Sequence, residues 1–228
     1  MWIHQPNQHR LENASGKALA WDSEIRAWVF DIGGVILELD PLRTEKAFEA
    51  LGFQKQGKEA ALTQLLQAWE IGQISIPAFL AQWHQWLPPH VSDQQIMEAW
   101  NAMLLKPVDR LQELFQALCK QFPVFLLSNT NPLHVRAFEA MIREKAGIEL
   151  SSLCRRCFYS HQIGFRKPDP ACYAYVTAQI GYKPGQIGFL DDTPANVEAA
   201  RQFGWQAYLL SPPGSLYDWA ISRQLVHL

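Results

Sequence analysis

The chain predicts an α/β fold: a doubly wound parallel sheet of Rossmann-like type, with a small all-helical unit inserted after the first strand. Two observations lead there. From about residue 107 onward, short runs of apolar, β-branched and aromatic residues alternate with segments of helical periodicity, the pattern of strands joined by crossover helices. Between the first such run and the second lies a block, about 43 to 105, with helical spacing throughout and no strand signal.

Taken in order, residues 1–24 are polar and read as a loosely ordered leader, or a short arm docked by Trp2 and Trp21. Ala27-Trp28-Val29-Phe30 is a short buried strand, the kind found inside parallel sheets, and it runs into Asp31-Ile32-Gly33-Gly34. The glycines allow a sharp turn and close approach of backbone to a ligand. Leu39-Asp40-Pro41 breaks the strand pattern. Helical spacing follows over 42–51, over 58–71 with Gly72 as its left-handed cap, and from Pro77 to Leu87. Ser92-Asp93-Gln94-Gln95 is a capping box opening a fourth helix to about Leu105. The insert holds Trp69, Trp83, Trp86 and Trp100, expected as its core in preference to an aromatic floor for a sugar. Then come a helix through Leu111–Leu118, the strand Val124–Leu127, a helix over 133–145, a strand at Phe158, a helix over 171–180, the strand at Ile187, a helix from Pro194 to Gly204, and the strand Gln206–Leu210. Pro212-Pro213 closes the sheet, with a short helix after it. The expected division is 1–24 leader, 25–42 with 106–228 core, and 43–105 helical cap.

The 228 residues are 48% hydrophobic and 18% charged, enough for a sizeable core in an ordinary globular composition. The net charge is −2, and the basic pairs Arg155-Arg156 and Arg166-Lys167 are too short for a nucleic-acid footprint. No apolar run approaches the roughly 18 residues a membrane span needs, and the leader has no apolar h-region. The expectation is a cytoplasmic protein without nucleic-acid or membrane partners. Four cysteines do not make a disulfide framework. Cys154-Arg155-Arg156-Cys157 has C-x-x-C spacing, but it lacks a second pair for zinc and precedes a strand where a redox pair would follow one. Structural thiols are the expectation there.

Chemistry-bearing residues fall at four carboxyl ends or loops of this pattern, where open α/β sheets bind ligands. Asp31 follows the first strand. Ser128-Asn129 follow Val124–Leu127. Lys167 lies in Gly164-Phe165-Arg166-Lys167-Pro168-Asp169-Pro170, just before a helix, and Asp191-Asp192 end the strand Gln186–Leu190. Each alone has a bland reading: Asp-Gly turns, Ser and Asn N-caps, a solvated lysine. In identity and order, the four resemble the motifs of the haloacid dehalogenase-like hydrolase superfamily, over nearly the whole chain from about Ile25.

That resemblance implies a phosphomonoester hydrolase acting through an aspartyl-phosphate on Asp31, with Lys167 pairing both nucleophile and phosphoryl group, and Ser128 and Asn129 donating to phosphoryl oxygens. Three clustered carboxylates would repel each other unless a cation lay between them, and hard oxygen ligands suit Mg²⁺. By resemblance its direct ligands would be Asp31, the Gly33 carbonyl and Asp191, with Asp192 acting through water or orienting the others. The substrate would be a small phosphorylated metabolite, a sugar phosphate favoured. Gly33 departs from the superfamily pattern, which places a second Asp there as general acid, typically worth about 10²- to 10⁴-fold. The wording of Phe30-Asp31-Ile32-Gly33, of Leu127-Ser128-Asn129-Thr130-Asn131 and of Trp69-Glu70-Ile71-Gly72-Gln73-Ile74-Ser75 is similar to a bacterial branch that includes α-glucose-1-phosphate phosphatase and carries the same Gly. An anomeric leaving group would then need little protonation. His134 is a candidate proton donor, though a packed or helix-surface histidine is the commoner case; Glu70 is a candidate from the cap, against a solvated helix end. Two alternatives stand beside this expectation: a dehalogenase-type hydrolase using the same Asp, which would not need Asp191-Asp192, and a non-catalytic binding protein on this fold.

Overall fold

The computed structural model describes residues 24–211, 215–223 and 225. The expected leader over 1–23, with Trp2 and Trp21, and the closing Pro212-Pro213 lie outside them. Strand β1 (Ala27–Phe30) passes through a tight turn into β2 (Leu37–Leu39). Helices α1 (Pro41–Ala50), α2 (Glu59–Glu70), α3 (Ile76–Trp86) and α4 (Asp93–Asn101) follow, and β3 (Leu104–Pro107) brings the chain back antiparallel to β2. Then come α5 (Leu111–Gln121), β4 (Val124–Ser128), α6 (Pro132–Ala146), β5 (Arg156–Tyr159), the single turn α7 (Ser160–Ile163), α8 (Pro170–Ile180), β6 (Ile187–Asp191), α9 (Pro194–Phe203), β7 (Gln206–Leu209) and α10 (Leu216–Ser222).

The main sheet has the order β5-β4-β1-β6-β7, with every pairing parallel. Phe30 lies opposite Leu126 on one side and Leu190 on the other, so the central strands end level. From β1 the chain builds outward through β4 and β5, then jumps back across to β6. The order therefore reverses between β1 and β6, and the crevice at such a switch point is where open sheets take their ligands.

Side-chain alternation along β1 assigns its two faces. Trp28 and Phe30 pack with Leu114, Phe115, Phe138 and Ala220, from α5, α6 and α10. Ala27 and Val29 pack on the opposite layer with Val176, Val197 and Ala200, from α8 and α9. Burial of each large side chain is worth about 1.5–3 kcal/mol, which makes β1 a firm base for the residue that follows it.

The helices between β2 and β3 have an aromatic core of their own. Trp69 stacks on Phe79 at 4.5 Å and Phe48 on Trp83 at 3.8 Å. Trp69 and Trp83 are 0% and 2% exposed, so their rings serve packing and offer no floor to a sugar. The capping box at Ser92 and Gln95 is present. Helix α4 nevertheless stops at Asn101, short of the expected Leu105, because Leu104 and Leu105 belong to β3, in which Leu104 pairs with Leu39 of β2. The expected insert thus runs two residues into a strand whose partner lies more than sixty positions earlier, beyond the reach of local periodicity. Its first helix also begins at Pro41, where Asp40 caps the Leu42 N–H at 3.1 Å. No helix among the described residues is long and apolar enough to cross a membrane.

Candidate active site

Asp31 is the first residue beyond β1, and its N–H is held by Leu190 O at 2.9 Å, so the sheet itself places it in the switch-point crevice. Its Oδ1 accepts from the Ile32 N–H at 2.7 Å and from Lys167 Nζ at 2.8 Å. Lys167 is 1% exposed, and its ammonium uses three acceptors: Asp31 Oδ1, Asp191 Oδ2 at 2.6 Å and Leu127 O at 3.0 Å. An ammonium has three protons to give, so this one is fully satisfied. Burial works to lower the Lys167 pKa, but Asp191 and Asp31 outweigh it and hold the group above the usual lysine value. Burial pushes the Asp31 carboxyl up to about 8, aided by Asp191 and Asp192 and opposed by Lys167.

Asp191, fully buried at the end of β6, is saturated. Oδ1 accepts from the Thr193 N–H at 2.8 Å and from Asn196 Nδ2 at 3.1 Å; Oδ2 accepts from Lys167 and, at 3.1 Å, from the same Asn196 amide. A carboxylate offers about four lone-pair sites, and these contacts occupy them. Asp192 differs. It is half-buried at the rim, with Thr193 Oγ1 3.3 Å from its Oδ1. Burial of part of the group, then Asp191, raises its pKa. Its Oδ2 faces Gly34, where an added Cβ would lie 1.9 Å from that oxygen and where φ is +71°. Gly34 is therefore required twice over, by conformation and by space.

Oxygens of Asp31, Asp191 and Asp192 all lie within 4.8 Å of one another, the one such group among the described residues. Lys167 brings one positive charge to these three acids. A divalent cation would balance the rest, and an all-oxygen donor set fits a hard ion such as Mg²⁺. The hydrogen bonds distinguish the two neighbours: Asp191 has contacts on both oxygens, whereas Asp192 takes Thr193 Oγ1 on Oδ1 and turns Oδ2 toward Gly34. Gly33 stands in the turn closed by Gly34 N–H to Leu37 O at 2.8 Å. A Cβ on Gly33 would meet only the tip of Leu39, at 2.6 Å from Cδ1.

The other expected residues are placed with different clarity. Ser128 ends β4 and is buried. The Asn129 side chain spans to the Lys167 backbone, its Nδ2 donating to Lys167 O at 2.7 Å and its Oδ1 accepting from Lys167 N at 2.8 Å. It clamps the lysine loop, which leaves one amide N–H for any further partner. His134 is not a site residue. Its ring stacks on Trp100 at 4.9 Å, its Nε2 donates to Trp100 O at 3.1 Å, and burial pushes its pKa down to about 4. Asn131 completes that junction between α4 and α6, accepting from Trp100 Nε1 at 3.2 Å and the His134 N–H at 3.0 Å. Glu70, at the end of α2, is no solvated helix end; it pairs with Arg166 at 2.9 Å, next to Lys167 in sequence, and burial raises its pKa.

Asn196 and Ser160 were not picked out beforehand. Asn196 faces inward among Val197 and Ala200 on α9, an amide on an apolar stripe, which is the signal that could have found it. Ser160 Oγ receives the Thr130 N–H at 2.9 Å and donates to Thr130 O at 3.0 Å, fixing the loop after β4 to the end of β5.

The family model for haloacid dehalogenase-like hydrolases matches residues 25–204. D-ribitol-5-phosphate phosphatase of Bacteroides thetaiotaomicron is 26% identical over 198 residues, 86% of this chain and 95% of that protein. A HAD family enzyme of the same organism, bt-2542, solved in complex with magnesium and inorganic phosphate, superposes with a TM-score of 0.78 at 27% identity, over 84% of this chain and 96% of that one. A HAD-like family hydrolase of Porphyromonas gingivalis gives 0.77 at 28% identity, over 90% and 100%.

Proposed function

The chain belongs to the haloacid dehalogenase-like hydrolases, and from that premise we propose that it is a Mg²⁺-dependent phosphatase of small sugar or polyol phosphates with Asp31 as nucleophile. The observation that carries the proposal is the triad of acids at the β1–β6 switch point, two of them tied to one buried lysine. The magnesium and phosphate in bt-2542 and the ribitol phosphate of the Bacteroides relative support the metal and the substrate class.

Both Asp31 contacts fall on Oδ1, which leaves Oδ2 to attack phosphorus. The P–O ester bond breaks as the Asp31–phosphate bond forms, and the substrate oxygen departs as an alkoxide that takes a proton from water, since Gly33 offers none. Water then cleaves the acyl phosphate and restores Asp31. Lys167, held rigidly by three acceptors, keeps Asp31 oriented and neutralises charge on the transferring group. Ser128 and the free amide N–H of Asn129 are the donors proposed for the phosphoryl oxygens. Asp31, the Gly33 carbonyl and Asp192 would hold the ion, with Asp191 positioning Lys167. When bound, Mg²⁺ offsets the charge of the acids and of the phosphoryl oxygens. A dehalogenase has no use for this third acid, and a pure binding protein has none for two acids buried against one lysine.

Phosphate release from a panel of sugar, polyol and nucleotide phosphates tests the proposal. Turnover is expected with MgCl₂ and lost with EDTA, and Asp31→Asn is expected to lower it by at least about 10³-fold. Hydrolysis indifferent to both chelation and Asp31→Asn would overturn it.

A further inference from the structure

The thiols at the entry to β5 stand apart from the acidic cluster and take no part in its chemistry. Cys154 lies in the bend before β5 and Cys157 is the second residue of that strand; their sulfurs are 3.4 Å apart. Both are half-buried, and Arg155 and Arg156 between them are exposed. Nearby Cys119, on the exposed side of α5, directs its thiol to Leu153 O at 3.3 Å. It does not complete a metal site with the pair, because among the described residues the three acids are the one grouping of three metal-type ligands within 4.8 Å. Two sulfurs in contact without a third ligand are placed for a different reaction: closure to a disulfide, for which they need approach only to about 2.05 Å.

The pair is also asymmetric. The Cys154 thiol hydrogen-bonds Cys157, and that bond holds Cys157 below the ordinary thiol value while holding Cys154, which is also raised by burial, above it. Cys157 is thus the sulfur suited to attack and Cys154 the one that keeps its proton. C-x-x-C spacing before a strand did not point to this; the sulfur–sulfur contact does.

We propose that Cys154 and Cys157 form a reversible redox site that a peroxide oxidises to an intrachain disulfide. The Cys157 thiolate attacks one oxygen of hydrogen peroxide, the O–O bond breaks, and hydroxide leaves and is protonated to water. The resulting Cys157 sulfenic acid is attacked at sulfur by Cys154; the S–S bond forms, the S–O bond breaks, and the hydroxyl departs with the Cys154 proton as a second water. Two thiols have lost two protons and two electrons, and one peroxide has become two waters. A small thiol reverses the change by exchange.

Trypsin provides the test on the full chain. It cuts after Arg155 and after Arg156, so the peptides carrying Cys154 and Cys157 separate unless a disulfide joins them. After peroxide treatment, denaturation and alkylation, the wild type is expected to yield the two peptides joined, and dithiothreitol to part them. Cys119→Ser is expected to leave the joined product unchanged. Cys154→Ser is expected to stop at a Cys157 sulfenic acid that dimedone captures. Two separate peptides, alkylated at both cysteines after peroxide, would overturn the proposal. So would either cysteine joined instead to Cys119 or Cys172. If Cys154→Ser does not fold, the wild-type digest decides alone.

Discussion

The acidic cluster at the β1–β6 crevice and the aromatic core of the helical insert are both built on buried side chains, yet opposite forces hold them. In the insert, Phe48, Trp69, Phe79 and Trp83 stack and interlock by shape and area. Such contacts are non-directional, and volume-conserving exchanges typically cost less than about 1.5 kcal/mol. In the cluster each contact is directional and counted: three acceptors for Lys167, four lone-pair sites filled on Asp191. Removing one partner there leaves a buried charge alone, which is more costly than a cavity of the same size. The difference teaches where stability and chemistry reside. The insert rests on shape and area, while the cluster holds like charges together by counted hydrogen bonds, as the proposed cation site requires.

The largest effect that sharpens this contrast is expected from Lys167→Met. Similar in length but uncharged, it strands Asp31 and Asp191 and should destabilise the protein by about 3–5 kcal/mol, read as a lower urea midpoint. Leu80→Met, a volume-conserving exchange in the core of the insert, should cost less than about 1.5 kcal/mol by the same measurement. Equal shifts would break the comparison.

Next comes the seam between the two regions, where His134 is buried against Trp100. Its folded pKa of about 4 lies below the unfolded value of about 6.5. The stability it contributes is therefore present above about pH 6.5 and lost as pH falls toward 4, about 3 kcal/mol in all. Unfolding measured at pH 7 and pH 4 should show that loss, and His134→Gln should reduce it.

Asn196→Ala should cost about 1–3 kcal/mol, since it takes a donor from both oxygens of Asp191. Smallest of all should be Glu70→Gln. The Glu70–Arg166 pair is about a third exposed on each side, and its loss should stay within about 1 kcal/mol by thermal or urea unfolding.

Much of this was legible in the sequence because it is local. The strand ending in Asp31, the cap at Ser92, the left-handed Gly72 and the alternation after residue 107 are each written within a few neighbours. The family was legible from the order of the four motifs. What escaped depends on residues far apart in the chain. Strand β3 is defined by β2, the Asn129 clamp by a loop thirty-eight residues on, and the partner of Glu70 by the fold. The different surroundings of Asp191 and Asp192 escaped for the same reason: two adjacent acids look alike until Asn196 and Lys167 are seen to bond one of them.

Calorimetric titration of Mg²⁺ into the full chain at neutral pH tests the central claim, that these acids are held together for a divalent cation. One site is expected in the wild type, abolished by Asp31→Asn and by Asp192→Asn. Binding heats unchanged by both substitutions, or no binding in the wild type, would contradict it.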